Sequence, residues 1–181
     1  MADPEQQLVL RSQQEPEAFR DLYRHYFPRV YAYVVYRVQR TQDAEDLVAD
    51  IFMQVVRGLG RFEYRGEGSF TAWLFRIAHN RVKQFYRDAS QSMSLDDLPD
   101  IQAHQLAPDQ AVQRKEQFAR LSQLISTLPP RRREIITLKF YGGLRNQEIA
   151  EVLELNERTI ASHLSRALDD LRRKAQPEDE R

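Results

Sequence analysis

Residues 146–173, NQEIAEVLELNERTIASHLSRALDDLRR, decide the fold class. Asn146 caps a short helix over 147–153, Glu154-Leu155-Asn156 makes a three-residue turn, and Asn156 caps a last helix that begins at Glu157. Ile149, Ala150, Leu153, Leu155, Ile160, Leu164 and Leu168 fall where the two helices must pack on each other, and small Ala150 permits a close crossing. This is a helix-turn-helix pattern. The other face of the last helix carries Arg158, Ala161, Ser162, Ser165 and Arg166 at i, i+3, i+4, i+7 and i+8, so these residues can enter a major groove together, with His163 at the edge of the face. The competing reading is a solvated face on an ordinary helical bundle.

The chain around this motif is helical throughout. Phe118, Leu121, Leu124, Ile125 and Leu128 mark a helix near 111–128, broken by Pro129-Pro130, and a second helix over 131–141 ends at Gly142-Gly143. Arg131, Arg132 and Arg133 open that second helix, where the dipole disfavours cations. Their placement hints at a phosphate partner, against a plain solvated-surface reading. Upstream, DASQSMSLDDLPDIQAHQLAPDQA (88–111) has two prolines, several Ser and Asp, and no amphipathic stripe, and so reads as a linker.

In the amino-terminal part, residues 16–40 carry apolar side chains at helical spacing, with Pro28 expected to kink or divide the helix. Thr41 is the expected cap of the next helix, with Asp43, Glu45 and Asp46 in or near its first turns and Leu47, Ile51, Val55 and Leu59 on one face. The loop RFEYRGEGS (61–69) leads into FTAWLFRIAHNRVKQFYRD (70–88). Between Glu67 and Asp88 that helix has no acid but holds Arg76, Arg81, Lys83 and Arg87 together with five aromatic residues. Phe70, Trp73, Leu74, Ile77 and Ala78 make an inward stripe; Arg76, Asn80, Lys83 and Arg87 make another face; Phe75, His79, Val82 and Tyr86 lie between them. A basic face flanked by rings suits single-stranded nucleic acid, while the alternative is a core helix that happens to be basic. No segment alternates with period two, so strands are not expected. The expected architecture is all-α: a first domain over 1–90, a flexible acidic linker over 91–111, a second domain with the helix-turn-helix over 112–176, and a tail over 177–181.

Composition removes several function classes. There is no cysteine, and the four histidines show no metal-ligand spacing, so no metal, cofactor or thiol chemistry is expected. No credible nucleophile–base pair stands out, so no enzyme is expected. No apolar run reaches the roughly 20 residues that cross a bilayer, and the amino terminus lacks the form of a signal peptide, so the cytoplasm is the expected compartment. Zero formal net charge is a cancellation: residues 1–87 hold 13 bases and 11 acids, 88–112 no base and five acids, 113–176 13 bases and eight acids, and 177–181 one base and three acids.

The segments AFRDLYRHYFPRVYAYVVYR, DAEDLVADIFMQVVRGLGRF, FTAWLFRIAHNRVKQFYRD and LPPRRREIITLKFYGGLRNQEIAEVLELNERTIASHLSRALDDLRR, in that order, resemble the extracytoplasmic-function (ECF) group of bacterial RNA polymerase sigma factors from about Pro16 to Lys174. The resemblance implies two helical domains, sigma regions 2 and 4, with the linker lying along the polymerase. It implies a transcription initiation factor that binds core RNA polymerase through the β′ clamp helices and the β subunit and directs it to promoter DNA. Asp43, Glu45, Asp46 and Asp50 would dock on the clamp helices. Phe62, Tyr64, Arg76, Asn80, Lys83 and Arg87 would meet the −10 element as single-stranded DNA, with a flipped base near Asn80. Arg132, Arg133, Arg158, Ser162, His163, Ser165 and Arg166 would meet the −35 duplex. An anti-sigma factor is a further partner that the resemblance makes plausible. The chain departs from the family pattern at Ala49 and Asp50, where Gln and Glu are usual, at Ala161 and His163, where bases are common, and at Glu154, where Gly is common. The rival readings are a stand-alone helix-turn-helix regulator that needs no polymerase, and an all-helical protein that sequesters a partner.

Overall fold

A leucine-poor, aromatic-rich amino-terminal part has to fill its interior with rings, and the first four helices do so. The computed structural model describes residues 3–38, 40–92 and 120–175. Its helices are α1 (Pro4–Gln14), a 3-10 turn (Pro16–Ala18), α2 (Phe19–Arg37), α3 (Thr41–Leu59) and α4 (Ser69–Ser92), then the helical residues 120–126 (α5), α6 (Pro130–Phe140), α7 (Asn146–Leu153) and α8 (Glu157–Ala175). Among the described residues there is no strand, as the absence of period-two alternation requires. The linker expected over 91–111 lies outside the described residues except at its start, where α4 continues through Ser92. The tail over 177–181 and the first part of the helix expected from 111 also lie outside them.

α2 buries Leu22, Tyr26, Val30, Tyr33 and Val34. α3 buries Ala44, Leu47, Val48, Ile51, Phe52, Val55 and Leu59, a broad apolar face. α4 lays Phe70, Leu74, Phe75, Ala78 and Val82 against both. Burying each such side chain contributes about 1.5–3 kcal/mol before entropy is counted. Phe75 and Val82, expected beside the inward stripe of α4, belong to it, whereas Trp73 and Ile77 are only half-buried. Sequence spacing places the stripe about one position off because it cannot tell which of two adjacent rows the neighbouring helices cover.

Pro28 neither divides nor ends its helix, and α2 runs unbroken from Phe19 to Arg37. Thr41 is the first helical residue rather than the cap, a position taken by Arg40 with extended backbone. Asn146 is likewise inside α7, and Arg145 precedes it as the cap, its backbone N–H donating to the Glu148 carboxylate at 2.7 Å. Asn156 caps α8 as expected: its Oδ1 accepts from the Thr159 backbone N–H at 2.7 Å and from the Thr159 hydroxyl at 2.8 Å. One glycine is fixed by contact rather than by backbone angle. A Cβ on Gly58, in the last turn of α3, would sit 2.8 Å from Cζ2 of Trp73, so the indole lies directly on the glycine backbone.

α6, α7 and α8 pack on one another around Ile135, Leu138, Ile149, Val152, Ile160, Leu164 and Ala167. The two parts of the chain are also in contact: α4 packs against α7 and α2 against α6, and one apolar cluster runs through both. Glu154 closes α7 with φ 55 and ψ 45, the left-handed conformation that disfavours residues with a Cβ by roughly 1–2 kcal/mol. Replacing Glu154 by Gly relieves that cost but returns chain entropy to the unfolded state, leaving a net gain of about 0.5–1 kcal/mol and a rise in Tm of a few degrees in a thermal melt.

Candidate nucleic-acid and polymerase interfaces

α4 begins without an acid in its first turn. The missing charge comes from α1. The Glu5 carboxylate accepts from the Gly68 N–H at 2.8 Å, the Thr71 N–H at 3.1 Å, the Thr71 hydroxyl at 2.7 Å and the Tyr26 hydroxyl at 2.8 Å. It therefore caps α4 from more than 60 residues away and joins α1, α2 and α4 at one point. The loop before α4 is fastened as well. Gln13 donates to the carbonyls of Leu59 at 2.9 Å and Phe62 at 2.7 Å, and the Tyr64 hydroxyl donates to Asp3.

Phe62 turns inward, its ring 5.3 Å from Phe70 and 5.0 Å from Trp73, while Arg61, Glu63, Arg65 and Glu67 stay exposed. The loop, Trp73, Arg76 and the α7 residues Gln147 and Glu151 enclose a cleft of ≈ 790 Å³. Phe62 and Trp73 at its wall offer ring faces for unpaired bases, and Arg61, Arg65 and Arg76 offer phosphate donors, interspersed with Glu63, Glu67 and Glu151. Farther along α4, Asn80, Lys83 and Arg87 are exposed. Arg76 is exposed too, but its guanidinium donates to the backbone carbonyl of Glu151. Of the six residues expected at the −10 element, Asn80, Lys83 and Arg87 are thus displayed on α4, while Phe62, Tyr64 and Arg76 are engaged within the chain.

On α3, Glu45, Asp46 and Asp50 are exposed and Asp43 half-exposed. Asp43 lies 3.9 Å from Arg40, and Asp50 pairs with Arg81 of α4. Among the described residues Glu45 and Asp46 have no ion-pair partner. One helical turn on, Met53 is 52% and Val56 50% exposed, extending the acidic patch into an apolar one. Sequence reasoning missed these two. The signal was available: both are apolar residues lying off the core stripe of an otherwise regular amphipathic helix.

On α8, Arg158, Ala161, Ser162, Ser165 and Arg166 are all exposed on one face, as the spacing predicts. His163 is half-buried, with its Nδ1 buried and unpartnered, and lies off that face. Arg132 pairs with Asp170 of α8, and Arg133 donates to the Leu128 carbonyl at 3.1 Å. Arg132 is therefore offset by a carboxylate and Arg133 held by a carbonyl inside the protein, while Arg131 stays exposed. Asp170, bonded by both Arg132 and Arg173, keeps its carboxyl below the ordinary carboxylate range, desolvation acting the other way.

No helix among the described residues is long and apolar enough to cross a membrane, and they contain no cluster of groups that could hold a metal ion. Among the described residues, fold and faces together give a two-part helical protein with a helix-turn-helix at one end and an aromatic, basic helix in the other part. Residues 22–92 match the family model for Sigma-70 region 2, and residues 118–171 that for Sigma-70 region 4. The chain is 30% identical over 168 residues to the ECF RNA polymerase sigma factor RpoE of Cereibacter sphaeroides, covering 91% of this chain and 90% of that one. It is 34% identical over 170 residues to the ECF sigma factor BldN of Streptomyces coelicolor, covering 92% of this chain and 64% of that longer relative. The sigma factor RpoE of Bartonella quintana, solved with the anti-sigma factor NepR, shares the fold with a TM-score of 0.73 at 23% identity, over 88% of this chain and 98% of that one. The chain belongs to the ECF family of RNA polymerase sigma factors. It is accordingly a transcription initiation factor that binds core RNA polymerase and directs it to promoters, and the readings as a stand-alone regulator or a sequestering protein fall away.

Because Glu5 holds the start of α4 and the loop at once, Glu5→Ala should leave the Gly68 and Thr71 N–H groups without their carboxylate. The expected loss is about 2–3 kcal/mol in urea unfolding, against less than about 1 kcal/mol for an exposed acid such as Glu17→Ala.

Proposed function

We propose that the three exposed faces divide the work of initiation. Asn80, Lys83 and Arg87 on α4, with the cleft beside Phe62, Tyr64 and Arg76, take the opened −10 strand. Rings can stack with its bases at about 1–3 kcal/mol each, while arginines hold its phosphates. The α8 row of Arg158, Ser162, Ser165 and Arg166 reads the −35 duplex from the major groove, and Ala161 leaves a shorter contact where relatives of the family carry a base. Arg132 braces that helix through Asp170, and Arg133 and His163 complete the set that meets the duplex. Asp46 and Glu45, with Met53 and Val56 behind them, dock on the β′ clamp helices; the acids steer the encounter and the apolar pair gives it a dry centre. The observation that carries this reading is the placement of a cleft lined by rings and arginines, and of an exposed helix-turn-helix face, on a chain whose parts match regions 2 and 4 in order.

The working division is a region 2 unit through about residue 90, a linker over 91–111 and a region 4 unit over 112–176. The protein performs no covalent chemistry of its own and works in the cytoplasm, where the polymerase is. An anti-sigma factor is proposed as a restraining partner, since the Bartonella relative in fold is bound to one.

The test is transcription with purified core polymerase on a panel of promoters. The protein should yield specific initiation. Arg166→Ala should lower it about 5- to 100-fold on its own promoters, as expected for the loss of one groove contact. Asn80→Ala should impair strand opening while leaving −35 binding intact, and Asp46→Lys should weaken core binding without altering the melting temperature. No specific initiation on any promoter, or variants indistinguishable from the parent, sinks the reading.

A further inference from the structure

Helix α1 lies before residue 22, where the match to region 2 begins, yet it holds the 61–69 loop at its start, its middle and its end. At the start, the Gln13 side-chain amide donates to the carbonyls of Leu59 at 2.9 Å and Phe62 at 2.7 Å. Leu59 is the last residue of α3, so its carbonyl is a helix-end acceptor without an intrahelical partner. The other carbonyl belongs to the residue whose ring packs against Phe70 and Trp73. In the middle, Asp3 accepts from the Glu5 N–H at 3.1 Å with one carboxylate oxygen and from the Tyr64 hydroxyl with the other, so the cap of α1 is also a loop anchor. At the end, Glu5 accepts from the Gly68 and Thr71 N–H groups. Fully buried Val9 seats α1 itself on the first bundle.

These anchors select which side chains the loop displays. Phe62 and Tyr64 are half-buried and Gly68 is buried, whereas Arg61, Glu63, Arg65 and Glu67 are exposed and line the cleft. Rows that alternate residue by residue exchange places when the backbone slips by one position. Residues 62–65 lie in no helix, so their placement falls to side chains from outside the loop. The contact of Phe62 with its neighbouring rings is non-directional and would let the backbone slide, whereas hydrogen bonds at three points fix it along its length.

We infer that α1 is the template of the base-selecting loop, and that Gln13, Asp3 and Glu5 are positioning residues for recognition of the −10 strand. The inference rests on the reading of the cleft as the −10 site. Discrimination between bases depends on donors and acceptors that stand in fixed places around an unstacked base. Glu63 and Arg65 supply both kinds from the exposed row. A loop free to slide still offers rings and arginines, so it keeps affinity for unpaired bases and loses preference among them. Gln13 is the sharpest probe, because methionine has much the same length and removes both donors while keeping the apolar stem.

Trp73 is the sole tryptophan, so the emission of the protein reports on the cleft wall directly. The test compares Gln13→Met with Gln14→Met, the same exchange at the exposed neighbouring position on α1. In the free full-length chain, Gln13→Met should shift the Trp73 emission to the red and raise its quenching by acrylamide, with helicity retained; Gln14→Met should do neither. With core polymerase on a promoter library randomised across the −10 element, Gln13→Met should compress the spread of initiation among bases about three- to tenfold and leave the −35 preference as in the parent. Asp3→Ser keeps a cap for α1 but offers one oxygen where two are used; it should compress the same preference, and it decides the matter if Gln13→Met does not fold. Initiation lowered by one common factor on every template marks a structural role and overturns the inference, as does an unaltered Trp73 signal. Asn80→Ala separates the inference from the reading beneath it. If that variant alters the −10 preference and the α1 variants do not, α1 is no template and the cleft still reads; if none of them alters it, both fall.

Discussion

A carboxylate enclosed by protein has to be answered from every side, and the position of Glu134 is where the two parts of this chain meet that demand together. α6 cannot bury it with its own residues, since the donors stand on α2 and α4. Once those helices supply Tyr33, Arg37 and His79, the lateral position and rotation of α6 against the first bundle are set. The stacking of Tyr36 on Tyr141 and the Arg29 bonds to the Gly142-Gly143 turn then follow as neighbours of a fixed point. The same alignment seats α7 across α4, which decides how much of the aromatic cleft is accessible.

Helix α4 is the element on which most demands fall. One row of it fills the first bundle, a second meets the carboxy-terminal part, and a third is left to solvent with Asn80, Lys83 and Arg87. Its first turn carries no acid of its own, although Glu63, Glu67 and Glu151 already stand at the cleft beside Arg61, Arg65 and Arg76. Glu5 of α1 supplies the missing charge by accepting from the Gly68 and Thr71 N–H groups at the start of α4.

Local rules recovered most of the helices and all of the helix-turn-helix, because Ile149, Leu153, Ile160 and Leu164 repeat with one strong period and Asn156 marks the start of α8 unambiguously. Caps at Thr41 and Asn146 slipped by one residue, since a polar side chain just inside a helix looks the same in sequence as one just outside. The acids of α3 and the face of α8 were legible as surface, being polar residues opposite a clear apolar stripe. Contacts across long separations were not. Nothing in PEQQ announces that Glu5 will cap a helix beyond residue 67, and Glu134 follows three arginines in a way that suggests solvent rather than burial. For two of the arginines at the start of α6 the partners likewise come from outside the helix: Asp170 pairs with Arg132, and the Leu128 carbonyl accepts from Arg133.

The contact between Gly58 and Trp73 carries a consequence for descent. The indole occupies the space that a side chain at position 58 would need, and no other group comes within reach of that site. A lineage that acquires even alanine at 58 gains a clash that a shifted indole or a smaller residue at 73 has to relieve. One that loses the indole opens a gap over the glycine that invites a methyl. The occupancy of position 58 and the placement of the indole are thus coupled, and the width of the cleft wall depends on both.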